Sequence, residues 1–367
     1  MTIDGAKKKV NEFKFKGKAY NGFSAKIMNS LSKDSGNVVY SPLSVFTAVC
    51  MAAAGASGET RQEILNVMDR SFTTEDLISI MEYLRESDDA VISANAICVR
   101  HDMANTIKND YLKVIREAFN AEYFMSQNIV DDVNRWVKEK TDNMIPEILD
   151  DSAADTLCSL VNATTFTNEW EDPYDDYQVS KRNFYNMSGS VSKVNMLFGS
   201  VGQYIENRYV RGFIKTYKNS RYGFMALLPK RKGEEALRKA IANTDFSEVC
   251  ENYTWYEVHT YMPEFEYRYD RELTRILTDM GMKKMFRPDA DFSGMSTVDL
   301  SIEQVIHKSY IKVDRNGTKA AAATIMDWVA ACPPEEYKTV TLNRPFIYAI
   351  MDVEKNVPIF SGIVREL

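Results

Sequence analysis

The chain has 367 residues, 45% hydrophobic and 11% aromatic, with a formal net charge of -7 and a pI near 5.3. That length and apolar content can support a sizeable core, and the acidic balance argues against a general nucleic-acid binder. No run approaches the roughly 18 apolar residues of a membrane-spanning helix, and no charged-then-apolar signal peptide opens the chain, so it reads as soluble as given.

The first residues carry Lys7, Lys8, Lys9, Lys14, Lys16 and Lys18, interrupted by Asn11, Glu12 and Phe13. They are expected to form a solvated basic arm over 1–18. Ala19 to Leu31 then has a helical pattern, with Phe23, Ile27 and Leu31 spaced by four. Asn37 to Ser41 is a short strand. Ser41-Pro42 gives a hydroxyl cap followed by proline at the first helical position, and the helix runs through Val45 to Ala54 before Gly55 ends it. Gly58-Glu59-Thr60 opens another helix through Met68.

Further on, the pattern predicts a helix near Asn128 to Thr141 and a strand near Leu157 to Phe166. A strand at Gly223 to Leu228 is stopped by Pro229, and a long strand is expected from Tyr253 to Tyr269. Asp270 to Met280 reads as helix and Ile302 to Val313 as an alternating strand, with closing strands at Phe346 to Asp352 and Pro358 to Arg365. Helices gather early and strands late, which is the order of an α+β protein. No internal repeat or linker-like tract interrupts it.

A catalytic constellation is hard to assemble. Cys50, Cys98, Cys158, Cys250 and Cys332 lie far apart, without CxxC spacing, and most read as small core hydrophobes. Of the three histidines, His101, His259 and His307, none sits in a metal-ligand spacing, and His307 in Val305-Ile306-His307-Lys308-Ser309 reads as a buried, hydrogen-bonded histidine. GxSxG, GxxxxGK[ST] and GxGxxG do not occur, and the two SxxK hits (Ser30 to Lys33, Ser190 to Lys193) lack their partner motifs. No cofactor and no metal site is expected, and the chain is not expected to be an enzyme. A cysteine hydrolase using Cys332 is a weaker alternative.

The most informative stretch is Gly317-Thr318-Lys319-Ala320-Ala321-Ala322-Ala323-Thr324. Four alanines favour helix by propensity, yet the interval from Gly317 to Pro333 is short for a capped helix and lacks an apolar stripe. With period two, Thr318, Ala320, Ala322, Thr324, Met326, Trp328 and Ala330 fall on one uncharged face. Small residues at the leading end suit a strand that slips between strands already in place.

Several motifs, in order along the chain, then resemble one family. Asn37-Val38-Val39-Tyr40-Ser41-Pro42-Leu43-Ser44, Met51 and Gly55-Ala56-Ser57-Gly58-Glu59-Thr60 resemble the amino-terminal signature of the serpins. Val133-Asn134-Arg135-Trp136-Val137 with Thr141 and Ile145, Val161-Asn162-Ala163 and Trp170-Glu171-Asp172-Pro173-Tyr174 are similar to later family motifs. So are Met262-Pro263-Glu264-Phe265, Leu277 to Phe286, Asp291-Phe292-Ser293-Gly294, Val305-Ile306-His307-Lys308 and Asn343-Arg344-Pro345-Phe346. The matches run from about residue 20 to the end.

The resemblance implies a serpin fold of three β-sheets and eight or nine helices, in a single domain over 1–367 with the hinge and reactive-centre loop at 315–342. It implies a suicide-substrate inhibitor of serine proteases, monomeric and without nucleic-acid or membrane partners; a non-inhibitory binding role is the alternative. An extracellular or cell-surface location is implied, with a cytoplasmic one left open. Ser41, Ser44, Asn162 and His307 would form a polar cluster beneath the main sheet, and Trp170 would stand where the loop enters. Gly317 to Thr324 would be the hinge. Where the family usually has a glutamate before the hinge glycine this chain has Arg315, and the family's partner lysine aligns with Glu264, so a charge-swapped Glu264–Arg315 pair is expected. Family spacing places the reactive bond at Ala331–Cys332, preceded by Trp328, Val329 and Ala330, a sequence suited to an elastase-like protease with a shallow primary pocket.

Overall fold

A computed structural model describes residues 3–68, 73–85, 89–154, 156–318 and 336–367. In chain order the helices are α1 (Ile3–Leu31), α2 (Pro42–Gly55), α3 (Gly58–Met68), α4 (Thr74–Arg85), α5 (Asn109–Phe119), α6 (Ile129–Lys140), α7 (Glu234–Ala242), α8 (Phe246–Glu251) and α9 (Thr274–Met280). The strands are β1 (Val38–Tyr40), β2 (Val91–Arg100), β3 (Ala121–Ser126), β4 (Cys158–Phe166), β5 (Asn168–Glu169), β6 (Val179–Tyr185), β7 (Val191–Glu206) and β8 (Val210–Thr216). They continue with β9 (Tyr222–Pro229), β10 (Thr254–Pro263), β11 (Phe265–Glu272), β12 (Ile306–Val313), β13 (Gly317–Thr318), β14 (Tyr337–Thr341), β15 (Phe346–Asp352) and β16 (Val357–Val364).

Among the described residues these strands make three sheets. A nine-stranded sheet has the order β1-β16-β15-β9-β8-β7-β10-β14, with β6 paired to β7; a second has β11-β12-β13-β5 and a third β3-β2-β4. By contact density the chain divides into two units: Met1–Lys26, Ser41–Thr165 and Asp270–Ser309 form the first, and Ile27–Tyr40, Phe166–Tyr269 and Tyr310–Leu367 the second.

Within the first unit, α2 is buried on nearly every face, which its apolar, alanine-rich sequence permits. Ser41 caps it and Pro42 occupies its first turn. At its end, a Cβ on Gly55 would stand 2.8 Å from the Met295 Cβ, so only glycine allows that close approach. Helix α6, capped by Asn128, lays Ile129, Val133 and Val137 on Ala96 and Cys98 of β2 and on Val161 and Ala163 of β4. The small residues on the strands let the helix sit close. Each fully buried valine contributes about 1.5–3 kcal/mol.

The core of the second unit is the nine-stranded sheet. Strands β9, β15 and β16 are buried from end to end, so their sequences are largely apolar without alternation, Asp352 and Ser361 being the buried polar residues in them. Beyond β16 the fully buried Arg365 donates to the carbonyls of Gly36 and Ser32, both at 2.7 Å, and to the Glu234 carboxylate at 3.0 and 3.2 Å. All its charge is matched, as a buried guanidinium requires.

Four expectations are corrected. Helix α1 begins at Ile3, so the basic segment is helical where an arm was expected. The expected strand from Tyr253 to Tyr269 is two strands in different sheets, β10 and β11, changing over at Pro263–Glu264. Helix α9 starts only at Thr274 because Asp270 to Glu272 continue β11. Strand β12 starts at Ile306, and residues 301–305 are irregular.

Candidate functional site

In the first unit, β4 is the last strand of its sheet, and β12 belongs to another. A cavity of about 230 Å³ runs beside β4, lined by Ser44 and Ala48 of α2, by Cys158 to Asn162 of β4 and by residues 299–307. Its polar end is built around a helix cap. The Ser41 hydroxyl accepts from the Ser44 N–H at 3.1 Å, and the Ser41 N–H donates to His307 Nε2 at 3.2 Å. Ser309 Oγ lies 2.6 Å from the same nitrogen.

His307 is buried, and desolvation pulls its pKa down to about 4. The imidazole is therefore neutral at physiological pH, with Nε2 as acceptor and the proton on Nδ1. Asn162 joins a different network. Its amide donates to Asn95 Oδ1, its carbonyl oxygen accepts from the Thr164 hydroxyl at 3.3 Å, and the Asn95 amide donates to Phe119 O at 2.8 Å. Of the four residues placed in this cluster from sequence, Ser41, Ser44 and His307 are linked by hydrogen bonds. Asn162 shares the cavity wall with Ser44 and His307.

Sequence reasoning missed Asn95 and Ser309. Both carried a signal: Asn95 interrupts an apolar strand, and Ser309 lies one alternation from His307 on β12.

In the second unit Trp170 is buried and stacks on Tyr217, ring centres 4.4 Å apart and planes at 14°. Its backbone N–H donates to Asn316 O and its indole N–H to Asp314 O, both at 2.9 Å. The Lys215 ammonium sits 5.5 Å from the Trp170 ring and 4.5 Å from that of Tyr174, donating to Asp172 O at 2.9 Å. Burial lowers the Lys215 pKa to about 8, opposed by the charges of Asp172 and Glu171. Trp170 thus holds the turn that leads into β13.

Arg315 lies on that turn. Its Nε is 3.7 Å from Glu264 Oε1, its backbone N–H donates to the same oxygen at 3.2 Å, and its Nη1 donates to Asp176. Glu264 is fixed in turn by Asn195, whose amide donates to Oε2 at 2.6 Å. Asp176 and Asn195 were not anticipated.

Gly317 and Thr318 form β13, paired with Asn168 and Glu169 of β5. A Cβ on Gly317 would lie 2.2 Å from Asn168 O, which explains the glycine. The Thr318 hydroxyl is 2.5 Å from that of Tyr217. Lys319 to Thr324, Trp328 to Ala330 and the Ala331–Cys332 bond lie outside the described residues.

Cys50, Cys98, Cys158 and Cys250 are free thiols, and burial raises the pKa of each, to about 12 for the last three. They are poor nucleophiles. Among the described residues no group of histidine, cysteine and carboxylate side chains could hold a metal, and no helix is long and apolar enough to cross a membrane.

The first unit thus holds an edge strand beside a cavity, and the second a two-residue strand, Gly317–Thr318, next to a stacked tryptophan. Residues 18–367 match the serpin (serine protease inhibitor) family model, and the chain belongs to that family. It is 28% identical to an uncharacterized serpin-like protein of Thermococcus kodakarensis, over 94% of this chain and 84% of that one. The thermophilic serpin tengpin in its native state superposes with a TM-score of 0.88 at 33% identity, covering 96% of this chain and 94% of that one. In its latent state tengpin gives 0.80 at 30% identity, with coverages of 95% and 96%. The expected fold class, family and sheet count all stand.

Proposed function

We propose that this serpin inhibits elastase-like serine proteases by inserting its cleaved loop into the main sheet and trapping the acyl-enzyme. The observation that carries the reading is that, among the described residues, β4 ends its sheet, β12 belongs to another, and a cavity lies beside β4. The greater likeness to the native than to the latent state of tengpin supports the same reading.

The protease serine attacks the Ala331 carbonyl, forming an ester and releasing the Cys332 amine. Insertion then competes with hydrolysis. About fifteen residues at roughly 3.3 Å each reach some 50 Å, far enough to carry the bound protease to the opposite pole. The small side chains from Ala320 to Ala323 let the strand enter without displacing packed neighbours. In this reading Ser41, Ser44, Asn162 and His307 set how readily the strands part, and Trp170 with the Glu264–Arg315 pair guards the entry. An extracellular setting fits such a target.

Thermal melting before and after limited cleavage of the loop tests the proposal. A metastable inhibitor gains tens of degrees once the loop has inserted. A cut protein that melts where the intact one does is a non-inhibitory serpin.

A further inference from the structure

We infer that a row of stacked rings on β7, β10 and β14 is a second docking surface for the protease held at the reactive bond. This deepens the function proposed above and rests on it. Ring centres of Tyr261 and Phe198 are 5.0 Å apart, those of Phe198 and His259 6.1 Å, and those of His259 and Tyr337 4.7 Å with planes at 21°. Strand register produces the row: Tyr261 pairs with Phe198, His259 with Ser200 and Thr339, and Glu257 with Tyr337. Two of its rings are held from the side, because the Arg182 guanidinium lies 4.4 Å from the Tyr261 ring centre and Glu257 Oε1 is 3.0 Å from His259 Nε2.

The row is exposed at Tyr337 and Phe198 and half-buried at His259 and Tyr261. Tyr337 is 62% exposed and Phe198 38%. Single exposed aromatics are ordinary, but a contiguous row already fixed by its neighbours gives a partner large contact area at little entropic cost. Tyrosines so placed are typical anchors of protein interfaces.

Tether length identifies the occupant. Cys332 lies five residues before Tyr337, whereas Ala331 lies thirteen residues after Thr318. Five residues span at most about 17 Å. A protease of roughly 220 residues has a radius of gyration of about 17 Å and is therefore wider than this tether is long. Fixed at the bond, it must come against the strand into which the short tether runs. That strand is β14, whose first residue is Tyr337.

The test is the association rate constant with pancreatic elastase for the wild type and for Tyr337→Ser, Tyr337→Phe and Thr339→Arg. Loss of the ring, or a bulky charge beside it, is expected to slow association at least tenfold, while Tyr337→Phe stays within about twofold. Melting temperature and the number of inhibitor molecules used per trapped protease should not change. Wild-type rates for both Tyr337→Ser and Thr339→Arg, alongside normal trapping, would overturn the docking surface and leave the inhibitory function standing. So would a lowered melting temperature at unchanged rate, which would make the rings structural, or a wild-type dimer abolished by Tyr337→Ser, which would make the occupant a second copy. If the wild type traps no elastase, the function itself fails and the docking surface with it.

Discussion

Glu264 holds Arg315 twice: its carboxylate lies 3.7 Å from the guanidinium Nε and accepts the Arg315 backbone N–H at 3.2 Å. Only the first contact depends on the arginine side chain. Arg315→Glu therefore keeps the backbone bond but sets a third carboxylate beside Glu264 and Asp176. Loss of such a partly exposed pair costs about 1 kcal/mol, with repulsion added. The single variant should convert faster to latent or polymeric forms on mild heating. Adding Glu264→Lys restores opposite charges but removes the acceptor for the Arg315 N–H, so recovery should be partial. Native gels over a heating series check this, and identical behaviour of single and double variants contradicts the pairing.

His307 makes the polar cluster acid-sensitive. Its pKa falls from 6.5 to about 4 in the folded protein. The unfolded chain binds the proton more tightly, so stability is fully present above pH 6.5 and is lost as pH drops from 6.5 towards 4. The full swing is roughly 3 kcal/mol. The melting temperature should decline by several degrees across that window, and His307→Gln should flatten this part of the profile. An unchanged slope in the variant would assign the acid response to other groups.

The Tyr217–Thr318 hydrogen bond anchors Gly317–Thr318, the start of the proposed hinge, beside Trp170. Tyr217→Phe leaves the Thr318 hydroxyl buried without that partner, at about 1–3 kcal/mol. Spontaneous loss of inhibitory activity at elevated temperature should accelerate roughly tenfold. An unaltered half-life would show that the latch does not limit loop entry.

Gly317→Ala tests the same point sterically. The new Cβ would press on Asn168 O at 2.2 Å, so β13 must shift or separate from β5. The variant is expected to melt several degrees lower and to convert more readily. A wild-type melting curve would mean that the hinge is not held in this register.

At the proposed reactive bond, Ala331→Arg should give inhibition of trypsin-like proteases, which require a basic residue at the cut, at the expense of the proposed elastase-like target. Inhibition assays against both enzymes decide it. Unchanged preference would place the bond elsewhere.

Much of this architecture could be read locally. Ser41-Pro42 marks a helix start by capping chemistry, and Asn128 to Thr141 is a helix whose cap and apolar spacing agree. His307 stood out because a buried polar residue in an apolar strand needs partners, whereas Asn162 entered only through the family resemblance. The partners were harder to see, since Asn95 and Asp176 meet theirs only through tertiary packing. The change from β10 to β11 did leave a local trace, because the inward positions pass from Val258, Thr260 and Met262 to Phe265, Tyr267 and Tyr269 across Pro263–Glu264. The continuous strand-like composition masked that change of parity, and the sheet each half joins appears only in the fold.

Mixing the protein with pancreatic elastase and separating the products on a denaturing gel tests the central claim most directly. Trapping predicts a band that survives boiling in detergent, at the summed mass less the released peptide 332–367, and mass spectrometry of that peptide beginning at Cys332. Complete conversion to cleaved protein, with elastase left active and no such band, would contradict it.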